Sequence, residues 1–262
     1  MNLVDVKVHA PNATILMDRG PNGNTLDERL IADLSQAFDD LHQEKRVRAI
    51  VLAGAGDDFC LGMDLAELHA NTIVDELLAM PLWIEQWQRL AELVEKLLRF
   101  PKPIIAAVDG RAQGAGFSLA LAADLIVASQ SAQFSATAIR RGMVAGVLAP
   151  LLAFRTNASL ASRLLLTGET LTSRQALRMG LVARRVPSQQ IWVSANEMAS
   201  VCSEHAASPL AVMKRLLNET VGELLLTQIS VGAATAATAC STETAAEGLN
   251  AFVENRPAVW PR

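Results

Sequence analysis

Two glycine-containing turns in this chain could place backbone N–H groups around an anion. In the segment DGRAQGAGFSLALAADLIVA (109–128), the glycines follow an apolar run typical of a strand and precede small apolar residues typical of a helix. The earlier segment GAGDDFCLGMDLAEL (54–68) repeats this order, with Asp64 in position to cap its helix. Because glycine permits close approach of the backbone, the two turns predict an anion site built from amides.

A dinucleotide phosphate is one candidate anion for the segment GAGFSLA (114–120). A turn that binds a dinucleotide is followed about 20 residues later by an acidic residue that holds the ribose. In this chain Asp124 comes too soon, and the next acidic residue is Glu169. The sequence therefore disfavours an NAD-dependent oxidoreductase.

A charge that exists only during a reaction is the other candidate. Two strand-to-helix turns can present convergent N–H donors to the carbonyl oxygen of a thioester as it becomes an enolate. Donors of this kind need small neighbours, which accounts for the glycines without any resident phosphate. From spacing alone a purely structural role of the turns stays open.

Composition limits the classes of protein to which the chain could belong. Its 262 residues, 51% of them hydrophobic and 19% charged, suffice for one large domain or two small ones. A net charge of −4 without a long basic run disfavours nucleic-acid binding. The three cysteines and four histidines lack metal-site spacing, and no apolar run reaches the roughly 18 residues of a membrane span. We expect a cytoplasmic protein with reduced cysteines, no metal and no membrane partner.

The elements that must position these turns alternate between strands and helices, which predicts an α/β fold with a mainly helical C-terminal third. Asn24 and Thr25 are candidate caps of the first helix, at 26–41. Further helices are predicted over 73–100, from about Gly116, and over 220–246, the last being rich in small residues. The predicted strands are VDVKVH, ATILMD, VRAIVLA, PIIAAVD, LIVA, AQF and LVARRV.

Several motifs in this order resemble the crotonase superfamily, the enoyl-CoA hydratase/isomerase proteins. They are FCLGMDL (59–65), PIIAAVDGRAQGAGFSLALAADLIVAS (103–129), LLLTGETLTSRQALRMGLVARRV (164–186) and AFVENRPAVW (251–260). The resemblance implies the crotonase (ClpP-like) spiral of ββα units over residues 1–195. It also implies a helical trimerisation region over 196–262 and a homotrimer or homohexamer.

The resemblance further implies an acyl-CoA substrate, no separate cofactor, and an oxyanion hole made by the amides of Met63 and Ala115. It implies that coenzyme A contacts the turn at Asn24, the segment 60–63 and the C-terminal helix. The coenzyme A residues expected on this basis are Asn24, Cys60, Leu61, Gly62, Gly114, Phe252 and Arg256.

The chain differs from the hydratases of the family it resembles at the positions of the two glutamates that flank the added water. Ser118 and Ala138 occupy those positions, although hydration needs both a base and an acid. Ser118 is kept as a catalytic candidate. Glu67, His69 and Glu85 are further candidates, although residues of these types lie at the surface more often than they act as catalysts. We therefore expect isomerisation, decarboxylation, or cleavage of a C–C or thioester bond. The alternatives are a non-catalytic acyl-CoA-binding or structural subunit and a hydratase with non-standard residues.

Overall fold

A six-stranded sheet forms the centre of the fold in the computed structural model of this chain, which describes residues 3–261. Met1 and Asn2 of the predicted region 1–195, and Arg262 of the predicted region 196–262, lie outside the described residues. The strand order is β1-β2-β3-β4-β6-β9, with β1 and β2 antiparallel and the other neighbours parallel. These strands are β1 (Val4–His9), β2 (Asn12–Met17), β3 (Ala49–Gly54), β4 (Ile104–Val108), β6 (Leu125–Ser129) and β9 (Arg184–Val186).

The central strands are buried on both faces, which explains why they are continuous apolar runs in the sequence. In β3, Ile50 and Leu52 belong to the main hydrophobic core, whereas Val51 belongs to a second core on the opposite face. Helix α8 (Ile191–Ser203) covers that second face with Ala195 and Ala199. The expected boundary after residue 195 therefore lies inside a helix that packs on the sheet.

A second sheet of three short strands supports the glycine turn at residues 114–116. It consists of β5 (Arg111–Gln113), β7 (Gln133–Ser135) and β8 (Thr170–Thr172), in the order β5-β7-β8. The sequence predicted β7 but not β5 or β8, because three residues are too few to show a periodicity. Strand β5 runs into helix α4 (Ala115–Ala122), all eight residues of which are buried.

The helices begin and end close to the predicted positions, with two differences. The first helix is capped by Asp27, whose side chain accepts a hydrogen bond from the amide of Leu30, and not by Asn24 or Thr25. The predicted helix over 220–246 is two helices that meet at 76°. The remaining helices are α1 (Glu28–Gln43), α2 (Leu65–Ala70), α3 (Glu76–Arg99), α5 (Leu148–Arg155), α6 (Ala158–Thr167), α7 (Ser173–Arg178), α9 (Ala207–Arg215), α10 (Glu223–Ala239) and α11 (Glu243–Val253).

The small-residue helix α10 packs on α3, and its alanines at 233, 236 and 237 are buried within the chain. Its composition thus serves the core of this protomer, one of the two roles that the sequence left open. Within residues 3–261 no single helix is long and apolar enough to cross a membrane, although α10 and α11 satisfy that criterion when taken together as a bent pair.

Candidate active site

The segment from Cys60 to Asp64 is held between two other parts of the chain. On one side, the Cys60 amide donates to the Arg111 carbonyl (3.1 Å) and the Gln113 amide donates to the Cys60 carbonyl (2.9 Å). On the other side, the Leu26 amide donates to the Gly62 carbonyl (2.8 Å), and the Asp64 amide donates to the Leu26 carbonyl (2.9 Å). Since the backbone groups on either side of residue 63 are bound in this way, the position of its amide is fixed.

Gly62 brings this segment against the start of helix α4. Its φ is +98°, which residues with a side chain rarely adopt. A Cβ added there would lie 2.9 Å from the Gln113 carbonyl oxygen and 3.3 Å from the Ala115 amide nitrogen. Glycine is therefore required for the close approach that places the amides of residues 63 and 115 in one region.

The amides of Met63 and Ala115 are available to a ligand. Among residues 3–261, no protein acceptor takes a hydrogen bond from either N–H. Ala115 is the first residue of α4, where amides have no partner within the helix and the helix dipole favours negative charge. Both residues line a cavity of about 800 Å³, here called the large cavity. Two unpaired amides at a cavity wall can stabilise an oxyanion.

Asp64 is the one carboxylate among the described residues that line the large cavity, and its oxygens are already engaged. It caps α2 through hydrogen bonds from the amides of Ala66 and Glu67, and it forms a 2.7 Å ion pair with Arg19. Burial would raise its pKa, but the bonds from Arg19 and the two amides outweigh burial and lower it. The Asp64 carboxylate is thus a structural cap and a poor proton acceptor.

Two arginines give the large cavity a positive wall. Arg140 and Arg141 lie in the turn after β7, and neither side chain donates to a carboxylate of the described residues. The Arg141 guanidinium lies 4.6 Å from the ring centroid of Phe252, and burial lowers the pKa of Arg141. By contrast, Arg256 lines the same cavity with its charge balanced by Glu247 at 2.6 Å and by a further carboxylate.

The large cavity unites most of the residues predicted to bind coenzyme A. Phe252 and Arg256 reach it from the C-terminal end of α11 and the residues that follow. Arg140 and Arg141, which are not among the coenzyme A residues expected from the sequence, belong to the same wall. The expected site residues that line the cavity are Leu61, Gly62, Met63, Gly114, Ala115, Phe252 and Arg256.

Asn24 and Cys60 do not line the large cavity, contrary to expectation. Asn24 is fully buried at φ +52°, and its amide group donates to the carbonyls of Ala55 (2.9 Å) and Asp58 (2.8 Å). The backbone N–H and C=O of Cys60 are both bound to the β5 strand and its end. Burial raises the pKa of the Cys60 thiol to about 12, so that the thiol is protonated at neutral pH. Both residues shape the turn, and their neighbours Leu61 and Gly62 line the cavity.

Ser118 is also separated from the large cavity, so its position does not support the catalytic role considered from the sequence. It is fully buried in α4, and its hydroxyl donates back to the Gly114 carbonyl at 3.3 Å. Ala138 does line the cavity, but its methyl group carries no proton. Neither position therefore supplies an acid or a base.

The other carboxylates and the histidine considered from the sequence lie elsewhere. Glu67 and Glu85 line a second cavity of about 160 Å³ between α1, α2 and α3, here called the small cavity. Burial raises the pKa of Glu67. His69 places its Nε2 atom 2.9 Å from the side-chain oxygen of Asn250, which links α2 to α11. Among the residues that the structure describes, no group of three or more potential ligands is arranged to hold a metal ion.

Comparison with known proteins gives one consistent family. The sequence profile of the enoyl-CoA hydratase/isomerase family matches residues 9–262. A Thermus thermophilus protein assigned to the enoyl-CoA hydratases is 34% identical over 245 residues, which are 94% of this chain and 95% of that protein. The 1,2-epoxyphenylacetyl-CoA isomerase of Escherichia coli is 28% identical over 247 residues, covering 93% of this chain and 92% of its own.

Solved structures agree with the sequence comparisons. An enoyl-CoA hydratase from Mycobacterium avium superposes with a TM-score of 0.86 at 27% identity, over 100% of both chains. A monofunctional enoyl-CoA isomerase from Mycobacterium smegmatis superposes with a TM-score of 0.71 at 27% identity, over 85% of this chain and 95% of that one. The expected crotonase fold with a helical C-terminal region is confirmed.

Proposed function

Because this chain belongs to the enoyl-CoA hydratase/isomerase family, we propose that it binds an acyl-CoA and stabilises its thioester enolate at the amides of Met63 and Ala115. The observation that carries the proposal is the pair of unpaired amides at the wall of the large cavity. A donor of this kind contributes about 3–4 kcal/mol to lowering the barrier, because it binds the oxygen most strongly when that oxygen is negatively charged.

The reaction that suits this cavity best breaks a bond at the α-carbon without a side-chain base. Asp64, which is the one carboxylate among the described residues that line the cavity, is engaged by an ion pair with Arg19 and by its hydrogen bonds to the start of α2. Decarboxylation meets this condition, because the α-carbon to carboxylate bond supplies the electron pair. That pair forms the enolate, carbon dioxide leaves, and a proton from water at the α-carbon then gives the acyl-CoA. Hydrolytic cleavage of a C–C bond to a carbonyl carbon produces the same enolate, because water first adds to that carbonyl carbon and the fragment then leaves as a carboxylic acid.

Isomerisation and hydration make greater demands on this site. Both need a group that moves a proton at a carbon of the substrate, and positions 118 and 138 hold serine and alanine. Hydratase remains the name that most of the related proteins carry, so a hydratase with unusual residues is kept as an alternative. A non-catalytic acyl-CoA-binding subunit is the other, since it would use the same cavity.

The positive wall supports coenzyme A as the carrier of the acyl group. Arg140 and Arg141 offer guanidinium groups to phosphate oxygens, which arginine binds in a forked geometry. The Arg141 guanidinium covers one face of the Phe252 ring, and the part of the ring that it leaves open offers an aromatic surface to an adenine. We extend the proposal to a homotrimer or homohexamer, in keeping with apolar side chains exposed on α10 such as Leu224 and Val231. Light scattering of the purified protein would measure this state.

Turnover of a set of thioesters in D₂O tests the proposal. We would incubate the protein with malonyl-CoA, methylmalonyl-CoA, crotonyl-CoA and a 3-enoyl-CoA, and follow the products by mass spectrometry. Loss of carbon dioxide with deuterium at the α-carbon is the expected result. Addition of D₂O to crotonyl-CoA would establish the hydratase alternative instead. Thioesters that bind in calorimetry but return unchanged would identify a binding protein and refute the enzymatic proposal.

A further inference from the structure

The large and small cavities meet at one side chain. Met63 lines both of them, and no other described residue does so. Its side chain is buried, with 6% of the residue exposed. The large cavity lies on the side of the 60–64 segment and α4, whereas the small cavity lies between α1, α2 and α3. Met63 therefore separates the space beside the oxyanion hole from a second space beyond it.

The two parts of Met63 have independent roles. Its amide, which belongs to the backbone, is fixed by the hydrogen bonds of Gly62 and Asp64 to Leu26. Its side chain is unbranched and flexible, so it fills the gap between the cavities without influencing where the N–H points. If the Met63 amide binds the thioester oxygen, the Met63 side chain lies next to the thioester carbonyl. An acyl chain extending from this carbonyl would then contact the Met63 side chain.

The space beyond Met63 has a mixed lining, in which the apolar side chains of Ile31, Ala70 and Leu82 adjoin charged groups. Glu28, Glu67 and Glu85 line the small cavity together with Arg89, whose guanidinium forms ion pairs with Glu28 (2.6 Å) and Glu85 (2.7 Å). Three carboxyl groups against one guanidinium also disfavour an acyl chain that ends in a carboxylate. An acyl chain that displaced Met63 would therefore exchange that apolar side chain for a lining that includes these charged groups.

We infer that the Met63 side chain is a wall that limits the length of the acyl chain, so that the protein selects short acyl-CoA thioesters. This inference rests on the proposed function, because it concerns the acyl group of the same substrate. It makes Met63 a determinant of specificity through its side chain, in addition to the role of its amide.

Binding of a series of acyl-CoA thioesters tests the wall. We would measure Kd by calorimetry for coenzyme A and for saturated thioesters from acetyl-CoA to decanoyl-CoA. For the natural chain, affinity should stop increasing at a short length. For Met63→Ala, which lacks Cγ, Sδ and Cε, it should continue to increase for about three further carbons, by up to about fourfold per carbon. Met63→Leu keeps nearly the same volume and should shift the limit by about one carbon.

Met143 provides a matched control. It is also a buried methionine, with 7% exposed, and it lines the large cavity but not the small one. Met143→Ala should leave the length limit where it is in the natural chain. An unchanged limit in both Met63 variants, or an equal shift in Met143→Ala, would overturn the inference while leaving the proposed function intact. If neither coenzyme A nor any thioester binds the natural chain, the proposed function itself fails.

Discussion

Replacement of Gly62 by alanine tests whether the close approach of the 60–64 segment to α4 creates the oxyanion hole. The added Cβ would lie 2.9 Å from the Gln113 carbonyl oxygen, a separation that real Cβ atoms essentially never show, and 3.3 Å from the Ala115 nitrogen. Both neighbours are backbone atoms, so that the strain cannot be relieved by rotating a side chain. We expect the segment and the start of α4 to move apart, and the two amides with them.

The expected effect on the rate is larger than the effect on stability. Loss of one oxyanion donor lowers kcat by about 10²–10³-fold, or about 3–4 kcal/mol. An alanine at the positive φ of Gly62 costs about 1–3 kcal/mol of folding free energy. For a chain of this size, each 1 kcal/mol lowers the melting temperature by roughly 2–4 °C. The variant should therefore remain folded but turn over thioesters poorly.

Gly180→Ala is the matched control for backbone strain. Gly180 has a φ of +74°, and no atom lies within 4 Å of a Cβ built there. Its alanine variant should lose comparable stability and retain the turnover of the natural chain. Melting by circular dichroism and turnover of the thioester identified for the natural chain would be measured for both variants. A folded Gly62→Ala protein that keeps its kcat within about threefold would refute the assignment of the oxyanion hole.

Three further substitutions examine the surroundings of the hole. Ser118→Ala should change kcat/KM by less than about threefold, because the buried hydroxyl donates to the Gly114 carbonyl of its own helix turn. A drop of 100-fold would indicate a catalytic role. Arg141→Ala should weaken coenzyme A binding, measured by calorimetry, by about tenfold or more, whereas Arg256→Ala should weaken it less because acidic neighbours balance its charge. Equal losses would contradict this difference. Arg19→Ala should lower the free energy of unfolding at neutral pH by about 1–3 kcal/mol, since Arg19 lowers the pKa of Asp64. A lowered pKa contributes its full stability above the ordinary value of about 3.9, and this contribution is lost as the pH falls from that value through the lowered pKa of the folded state. Urea titrations should therefore show a smaller deficit at about pH 3 than at neutral pH. A deficit that is the same at both pH values would be the contrary result.

The elements that the sequence predicted are those whose burial pattern is local. Strand β3 is an apolar run because Ile50 and Val51 are buried on opposite faces of the sheet. Its six residues are enough to show this pattern in the sequence. Strand β5 could not be found in this way, since its three residues pair with Gln133–Ser135 and with Cys60. This strand forms because it pairs with residues about 20 and 50 positions away, and the local periodicity of a sequence does not indicate such distant pairing.

The break between α10 and α11 had a signal that the small-residue pattern obscured. Thr242 caps α11 by accepting a hydrogen bond from the Ala245 amide, and it is followed by Glu243 in the first turn. A threonine followed by an acidic residue is typical of a helix start. The alanines on either side continue the composition of α10 without interruption, so the cap alone marked the bend.

The two amides that the resemblance implies, those of Met63 and Ala115, lie at the wall of the large cavity, whereas several of the predicted side chains do not. The proposed role of the amides needs only a backbone shape. The direction in which a side chain points depends on the groups around it. The Asn24 side chain points into its own turn, and not towards the cavity, because it donates hydrogen bonds to the carbonyls of Ala55 and Asp58. Arg141 is directed by Phe252, a residue more than 100 positions later, and no pattern near residue 141 indicates it.

These observations explain how a chain that belongs to the family can carry out the reaction proposed for it. The proposed oxyanion hole is made of backbone amides, so substitution of the surrounding side chains leaves it in place as long as residue 62 is glycine. Acid and base groups are side chains, and the chain carries serine at 118, buried away from the cavity, and alanine at 138, which has no proton to give. Under the proposed function, the amides still activate a thioester, while the subsequent step depends on what the substrate itself provides. The proposed wall at Met63 adds a third property, a limit on the length of the acyl group, at the residue whose amide would activate the thioester.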